Sequence, residues 1–185
     1  MKKINNITMV VTKILEIFHW MGTGLATVFF FISIFARDWF CGILSTGTAE
    51  YKTLTTYGFE VIAVTNLNEI NMTAVSMFFG VAILILGLMA MVFRNIHLII
   101  KKSKTASPFN KDNIRMLREI GIFSIAIPVL ELIMSVVFGL VFGHGGAELA
   151  ATVDLTGIIM GIIVFSLTNI FTYGAKLEND VEGLL

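Results

Sequence analysis

Charged side chains are scarce in this chain: Lys, Arg, Asp and Glu make up 14% of its 185 residues. A soluble domain carries about 25%, so the chain has too few charges to build a water-facing skin. Cysteine is nearly missing, and Cys41 stands alone. That excludes an intrachain disulfide and a cysteine-based metal cluster. Cys41 then reads as a small apolar filler near a helix end. Proline occurs only at Pro108 and Pro128, so little interrupts long helices. Catalytic signatures are missing too: no Walker loop, GxGxxG, HExxH or GxSxG is present. No nucleophile stands at a credible spacing from a base. The sequence does not read as an enzyme, and it implies no cofactor and no metal.

What is present is apolar. Hydrophobic residues make up 56% of the chain and mean hydropathy is +0.87. They gather into four runs: Ile14 to Ala36, Ala74 to Ile100, Ile120 to Phe142 and Leu155 to Tyr173. Each approaches or exceeds the roughly 20 residues a helix needs to cross hydrocarbon. The first run is too long for a secretory signal, and no A-x-A pattern precedes Arg37, so it reads as a retained helix. The expected fold is an all-α integral membrane protein, one membrane domain built as a four-helix transmembrane bundle. Trp20, Trp39, Phe40 and Tyr173 sit near span ends, where aromatics prefer the headgroup zone.

The basic residues are distributed unevenly. Lys2, Lys3, Lys13, Arg94, Lys101, Lys102, Lys104, Lys111, Arg115, Arg118 and Lys176 fall on the side of the termini and the middle loop. Only Arg37 and Lys52 fall on the other. By the positive-inside rule both termini and the loop 101–119 face the cytoplasm. The loop's cations Lys101, Lys102, Lys104, Lys111, Arg115 and Arg118 are first topology anchors. They are also candidate contacts for anionic lipid headgroups or a protein partner, the lipid contact at roughly 1 kcal/mol per residue. No DNA-reading motif accompanies them, so direct nucleic-acid binding is not expected. Pro108 ends any helix running out of span two. Asn110 is a helix N-cap candidate, with Asp112 facing the positive helix end. A helix from Lys111 to Phe142 would overrun the hydrocarbon core by two or three turns.

The string SPFNKDNIRMLREIG, followed by an apolar span, resembles a bacterial membrane-protein family known as domain of unknown function 2975. Pro108, Phe109, Asn110, Asn113, Leu117, Arg118, Ile120 and Gly121 carry the resemblance. It implies a multi-pass protein of the bacterial plasma membrane, of a family often encoded beside a small helix-turn-helix regulator. It supplies no catalytic residues.

The stretch 37–73, outside the membrane, separates the first two spans. YKTLTTYGFEVIAVTN has β-branched and aromatic residues in partial alternation, and predicts a short hairpin turning at Tyr57-Gly58, with Phe59, Val61 and Ala63 on one face. It reads as a small cap on the bundle or as a ligand-sensing flap. His144, Glu148 and Asp154 lie between spans three and four, but their spacing matches no recognised metal pattern.

Polar residues inside the spans carry the remaining signal. Glu131 stands near the middle of span three, where an ionised carboxylate is costly, three residues after Pro128. It reads as a ligand or proton site, or as neutral helix glue bonded to Ser135, Ser166 or Thr27. Glu16, His19, Arg94 and Asn169 lie at similar depth and form a candidate cluster. Arg94 could lean toward Glu131 or snorkel to the headgroups. Gly157 and Gly161 form a GxxxG pattern that serves packing within the bundle or a homodimer. Two functions follow as expectations. One is a regulatory or sensory protein that binds a cytoplasmic partner, such as a DNA-binding regulator. The other is a small transporter, channel or immunity-type protein using Glu131.

Overall fold

The computed structural model describes residues 2–45, 52–57, 59–64, 70–104, 107–142 and 155–182. In order these form α1 (Lys2–Phe35), α2 (Arg37–Ser45), β1 (Lys52–Thr56), β2 (Phe59–Val64), α3 (Met72–Lys102), α4 (Lys111–Phe142) and α5 (Leu155–Glu182). Helices α1, α3, α4 and α5 are each long and apolar enough to cross a membrane, which makes this a multi-pass membrane protein with a small two-stranded sheet between its first two long helices.

The helices extend past the apolar runs. α1 begins at Lys2 and α5 continues to Glu182. Apolar runs mark where hydrocarbon can surround the chain, whereas backbone hydrogen bonding continues until a breaker stops it. No proline interrupts either polar flank. α4 begins where expected. The Asn113 N–H donates to Asn110 Oδ1 at 2.8 Å and the Ile114 N–H to the Asn110 carbonyl at 3.2 Å, so Asn110 is the N-cap. α4 has 32 residues, about 48 Å of helix.

Side-chain hydroxyls inside the helices follow one rule. Thr12, Thr27, Ser33, Ser76, Ser166, Thr168 and Thr172 each lie within hydrogen-bond distance of a carbonyl three or four residues earlier. Donating back to the same helix satisfies the hydroxyl where no water is at hand.

The chain divides into two compact units. The first comprises residues 1–19, 88–128 and 155–185, and the second 20–87 and 129–154. In the first, α5 packs on α4 through glycine. A Cβ on Gly161 would lie 2.4 Å from Ile125 Cγ1 and 3.0 Å from the Gly121 carbonyl oxygen, and a Cβ on Gly121 would lie 3.4 Å from the Gly161 carbonyl oxygen. The two backbones approach as closely as the absence of side chains allows. One turn away, Pro128 lacks the N–H that would bond the Ser124 carbonyl. A Cβ on Gly157 would stand 3.0 Å from that oxygen and 3.1 Å from the proline ring. The GxxxG pattern is therefore used within the chain, against the proline site of α4.

In the second unit, aromatic rings set the core. Phe29, Phe40 and Phe79 pack with centroids 5.5–6.0 Å apart, beside the buried Met72 and Val75. Phe40, expected as an interfacial anchor, is instead a core residue. It reaches the core because Arg37–Ser45 is a short helix, which the sequence reading of 37–73 missed. Trp39, on the same helix, stays exposed. The hairpin is present: β1 and β2 pair antiparallel with Thr56 opposite Phe59. Tyr57 takes φ 47°, the left-handed conformation that a tight two-residue loop requires. Gly58 lies outside the described residues, as does the side chain of Ala63. The face expected to carry Phe59 and Val61 is buried at both, with Phe59 5.3 Å edge-to-face from Phe138 and 6.0 Å from Phe78.

Gly161→Leu should lower the stability of the detergent-solubilised protein by about 1–3 kcal/mol, from overpacking against Ile125 and Gly121. Gly24→Ala meets nothing within 4 Å, and should be neutral or stabilising by a few tenths of a kcal/mol to about 1. Thermal unfolding of the two variants side by side checks the contrast.

Candidate functional site

The strongest sequence motif lies between α3 and α4, and the structure shows how it is held. α3 ends with the Ser103 N–H on the Ile99 carbonyl at 2.9 Å. Asn113, fully buried, donates from Nδ2 to Ser103 Oγ at 3.2 Å and to the Pro108 carbonyl at 3.1 Å. Its Oδ1 has no hydrogen-bond partner among the described residues, so Asn113 works as a donor. One amide thus joins the end of α3, the proline turn and the start of α4.

The same turn is fastened to α5. The Ser107 hydroxyl donates to Glu178 Oε2 at 2.6 Å. Phe109 lies over Gly174, where a Cβ would stand 2.8 Å from the ring, and meets Phe171 edge-to-face at 5.3 Å. Phe171, Gly174 and Glu178 are spaced three and four apart, one face of a helix. The spacing was legible in FTYGAKLE, but only the fold shows that its partner is Phe109.

The basic residues divide into two groups. Lys102 Nζ donates to Asp112 Oδ2 at 2.6 Å, and that ammonium holds the Asp112 carboxyl below its ordinary value, with Arg115 adding to the pull. Lys104 Nζ donates to Asn6 Oδ1 at 2.6 Å and approaches Met9 sulfur at 3.5 Å. Arg115 lies 3.6 Å from Glu119, an exposed pair worth little by itself. Lys101, Lys111 and Arg118 are exposed and form no ion pair among the described residues. Lys111, Arg115 and Arg118 fall at i, i+4 and i+7, so they form one basic stripe on α4.

The candidate polar cluster is only partly assembled. Glu16 and His19 are buried on α1. Glu16 pairs with Lys13 at 3.0 Å. His19 Nδ1 lies 2.7 Å from the Leu15 carbonyl, and its ring stands 5.0 Å from Phe93. Arg94 and Asn169 are exposed and do not join them: their positions on α3 and α5 turn outward, as a snorkelling arginine requires. The residues that do link helices were missed. Asn95, buried, donates to Glu119 Oε2 at 2.9 Å, and His97 Nδ1 lies 3.1 Å from the Met9 carbonyl. Asn95 follows Arg94 by one position, about 100° around the helix, and His97 by three, about 60° away on the other side. A lone polar residue in an apolar run gives no sign of which face is buried.

Glu131 is buried on α4 within the second unit. The hydroxyls of Thr27 and Ser166, considered as its partners, are placed to donate to Thr23 and Ile162 of their own helices. The carbonyl that Pro128 releases is that of Ser124, which Gly157 approaches. His144, Glu148 and Asp154 lie outside the described residues. Among the described residues no group of three or more His, Cys, Asp or Glu side chains could hold a metal ion. Comparison with protein-family models, with curated proteins and with solved structures finds no match.

Asn113→Ala should destabilise the protein by about 1–3 kcal/mol, because it removes a buried amide that donates both to Ser103 Oγ and to the Pro108 carbonyl. Hydrogen exchange should then rise at the start of α4 ahead of the apolar run. Exchange unchanged there would mean that the turn is held by Phe109 and Ser107 alone.

Proposed function

We propose that this protein is a membrane-resident regulatory protein that holds a cytoplasmic partner on the basic stripe of α4. The observation that carries the reading is the stripe's placement. Lys111, Arg115 and Arg118 are exposed on a helix start whose turn is fixed by Asn113, Ser107 and Phe109. A fixed array of cations offers a partner a surface at little ordering cost. The positive-inside bias puts this stripe and both termini in the cytoplasm. The partner's matching face is acidic. The resemblance to domain of unknown function 2975 adds a bacterial plasma membrane as the setting and a small helix-turn-helix regulator as the partner class. Anionic lipid headgroups are the competing ligand for the same charges.

Charge reversal at Lys111, Arg115 and Arg118 together should reduce a cytoplasmic protein crosslinked at α4 by about tenfold or more, the scale of lost charge complementarity. Insertion and thermal stability should not change. Equal crosslinking by the variant and the parent would end this reading.

A second reading rests on Glu131. A buried carboxylate in a span is a functional residue by default, and here it follows by three residues a proline set inside the helix. If the protein carries protons or a small ion, Glu131→Gln should abolish flux in reconstituted vesicles. Flux that survives the substitution removes Glu131 from the role.

A further inference from the structure

The second unit contains a cavity of about 330 Å³ where α1 ends and α3 begins. That lies at the lower end of the range for small-ligand sites, about 300–1,000 Å³. Its walls are apolar, from Phe30, Ile34, Met72 and Met77, and its polar groups include Ser33, Ser76 and Arg37. We infer that it binds the phosphate of an anionic glycerophospholipid through Arg37, with an acyl chain lying against Phe30, Ile34 and Met77.

The serines cannot supply the recognition. Ser33 Oγ lies 2.7 Å from the Phe30 carbonyl, Ser76 Oγ lies 2.8 Å from the Met72 carbonyl, and the two hydroxyls are 2.9 Å apart. Two hydroxyl protons already serve three short contacts, so neither has a donor to offer. Arg37 does. It is exposed, and among the described residues no carboxylate lies within ion-pair distance of it. The start of α3 adds to the positive field. Asn71 caps that start, accepting from the Ala74 N–H at 3.1 Å.

Position identifies the ligand as a lipid. Arg37 follows Phe35, the last residue of a membrane-length helix. Phe31, Phe35 and Trp39 beside it are exposed, as expected of aromatics at the edge of the hydrocarbon. An acyl chain is the apolar neighbour such a wall meets, and a phosphate is the anion found at that depth. Among the described residues no carboxylate lines the cavity, so none of them would receive the ammonium of a zwitterionic headgroup. This favours an anionic lipid.

The test uses the purified full chain in detergent, titrated with phosphatidylglycerol and with phosphatidylcholine, and read as bound lipid by native mass spectrometry. Phosphatidylglycerol should be preferred, and Arg37→Gln should weaken its retention about tenfold and remove the preference over phosphatidylcholine. Arg37→Lys should keep most of the preference. Ser76→Phe, which fills the cavity, should weaken both lipids. A variant with Lys111 and Arg118 reversed should retain the Arg37-dependent lipid, which separates this site from the basic stripe. Wild-type retention of phosphatidylglycerol by both Arg37→Gln and Ser76→Phe would overturn the inference. So would displacement of the lipid by excess inorganic phosphate, which would make the headgroup anion alone the ligand.

Discussion

A polar group inside hydrocarbon has no water to bond, so each one must be satisfied by the chain itself. In this protein the constraint acts at every scale. Within single helices it turns the hydroxyls of Thr12, Thr27, Ser166 and Thr172 back onto their own carbonyls. Between helices it pairs Asn95 with Glu119 and brings His97 to the Met9 carbonyl. At the proline of α4 it leaves a carbonyl without its helical donor, and the bare backbone of Gly157 comes close to it. A Cβ at Gly157 would stand 3.0 Å from that oxygen, so a side chain there would force the two backbones apart.

Small residues and rings divide the packing between them. In the first unit α5 offers Gly157, Gly161 and Gly174, and these receive Pro128, Ile125 and Phe109 respectively. Association of helices in lipid depends on such close fit, because apolar burial gives no advantage over contact with acyl chains. The second unit relies on phenylalanines instead. Phe59 of the hairpin inserts between Phe78 and Phe138, which ties a segment expected outside the membrane to two of the helices that cross it.

The basic loop shows how one set of charges serves two purposes. Lys102 and Lys104 are bonded to Asp112 and Asn6, and so help fix the ends of α3, α4 and α1. Lys111, Arg115 and Arg118 point away from the packed surface. The cost of moving any of them across the membrane does not depend on this division. The second group, like the exposed Lys101, is left to bind something else, and the proposed function rests on the second group.

Much of the fold was legible in the sequence because hydrocarbon imposes simple statistics. Run length fixed the number of spans, alternation with Tyr57-Gly58 located the hairpin, and Asn110 marked the start of α4. The division of Lys and Arg between loops set an expected topology. Helix limits were not legible, because Lys2–Lys13 and Lys176–Glu182 are polar and still helical. Nor was the short helix of Arg37–Ser45, whose nine residues are too few for a periodic pattern to stand out. The candidate site was legible in type but not in arrangement. A sequence lists Arg94, Asn95 and His97 as neighbours, whereas a helix turns about 100° per residue, so Asn95 and His97 flank Arg94 on opposite sides. Only the tertiary structure could bring Asn95 and His97 to residues of other helices, leave Arg94 outside, seat Phe109 in the notch at Gly174 and set Arg37 beside a cavity. Those outcomes depend on which faces meet, and composition says only that some faces must.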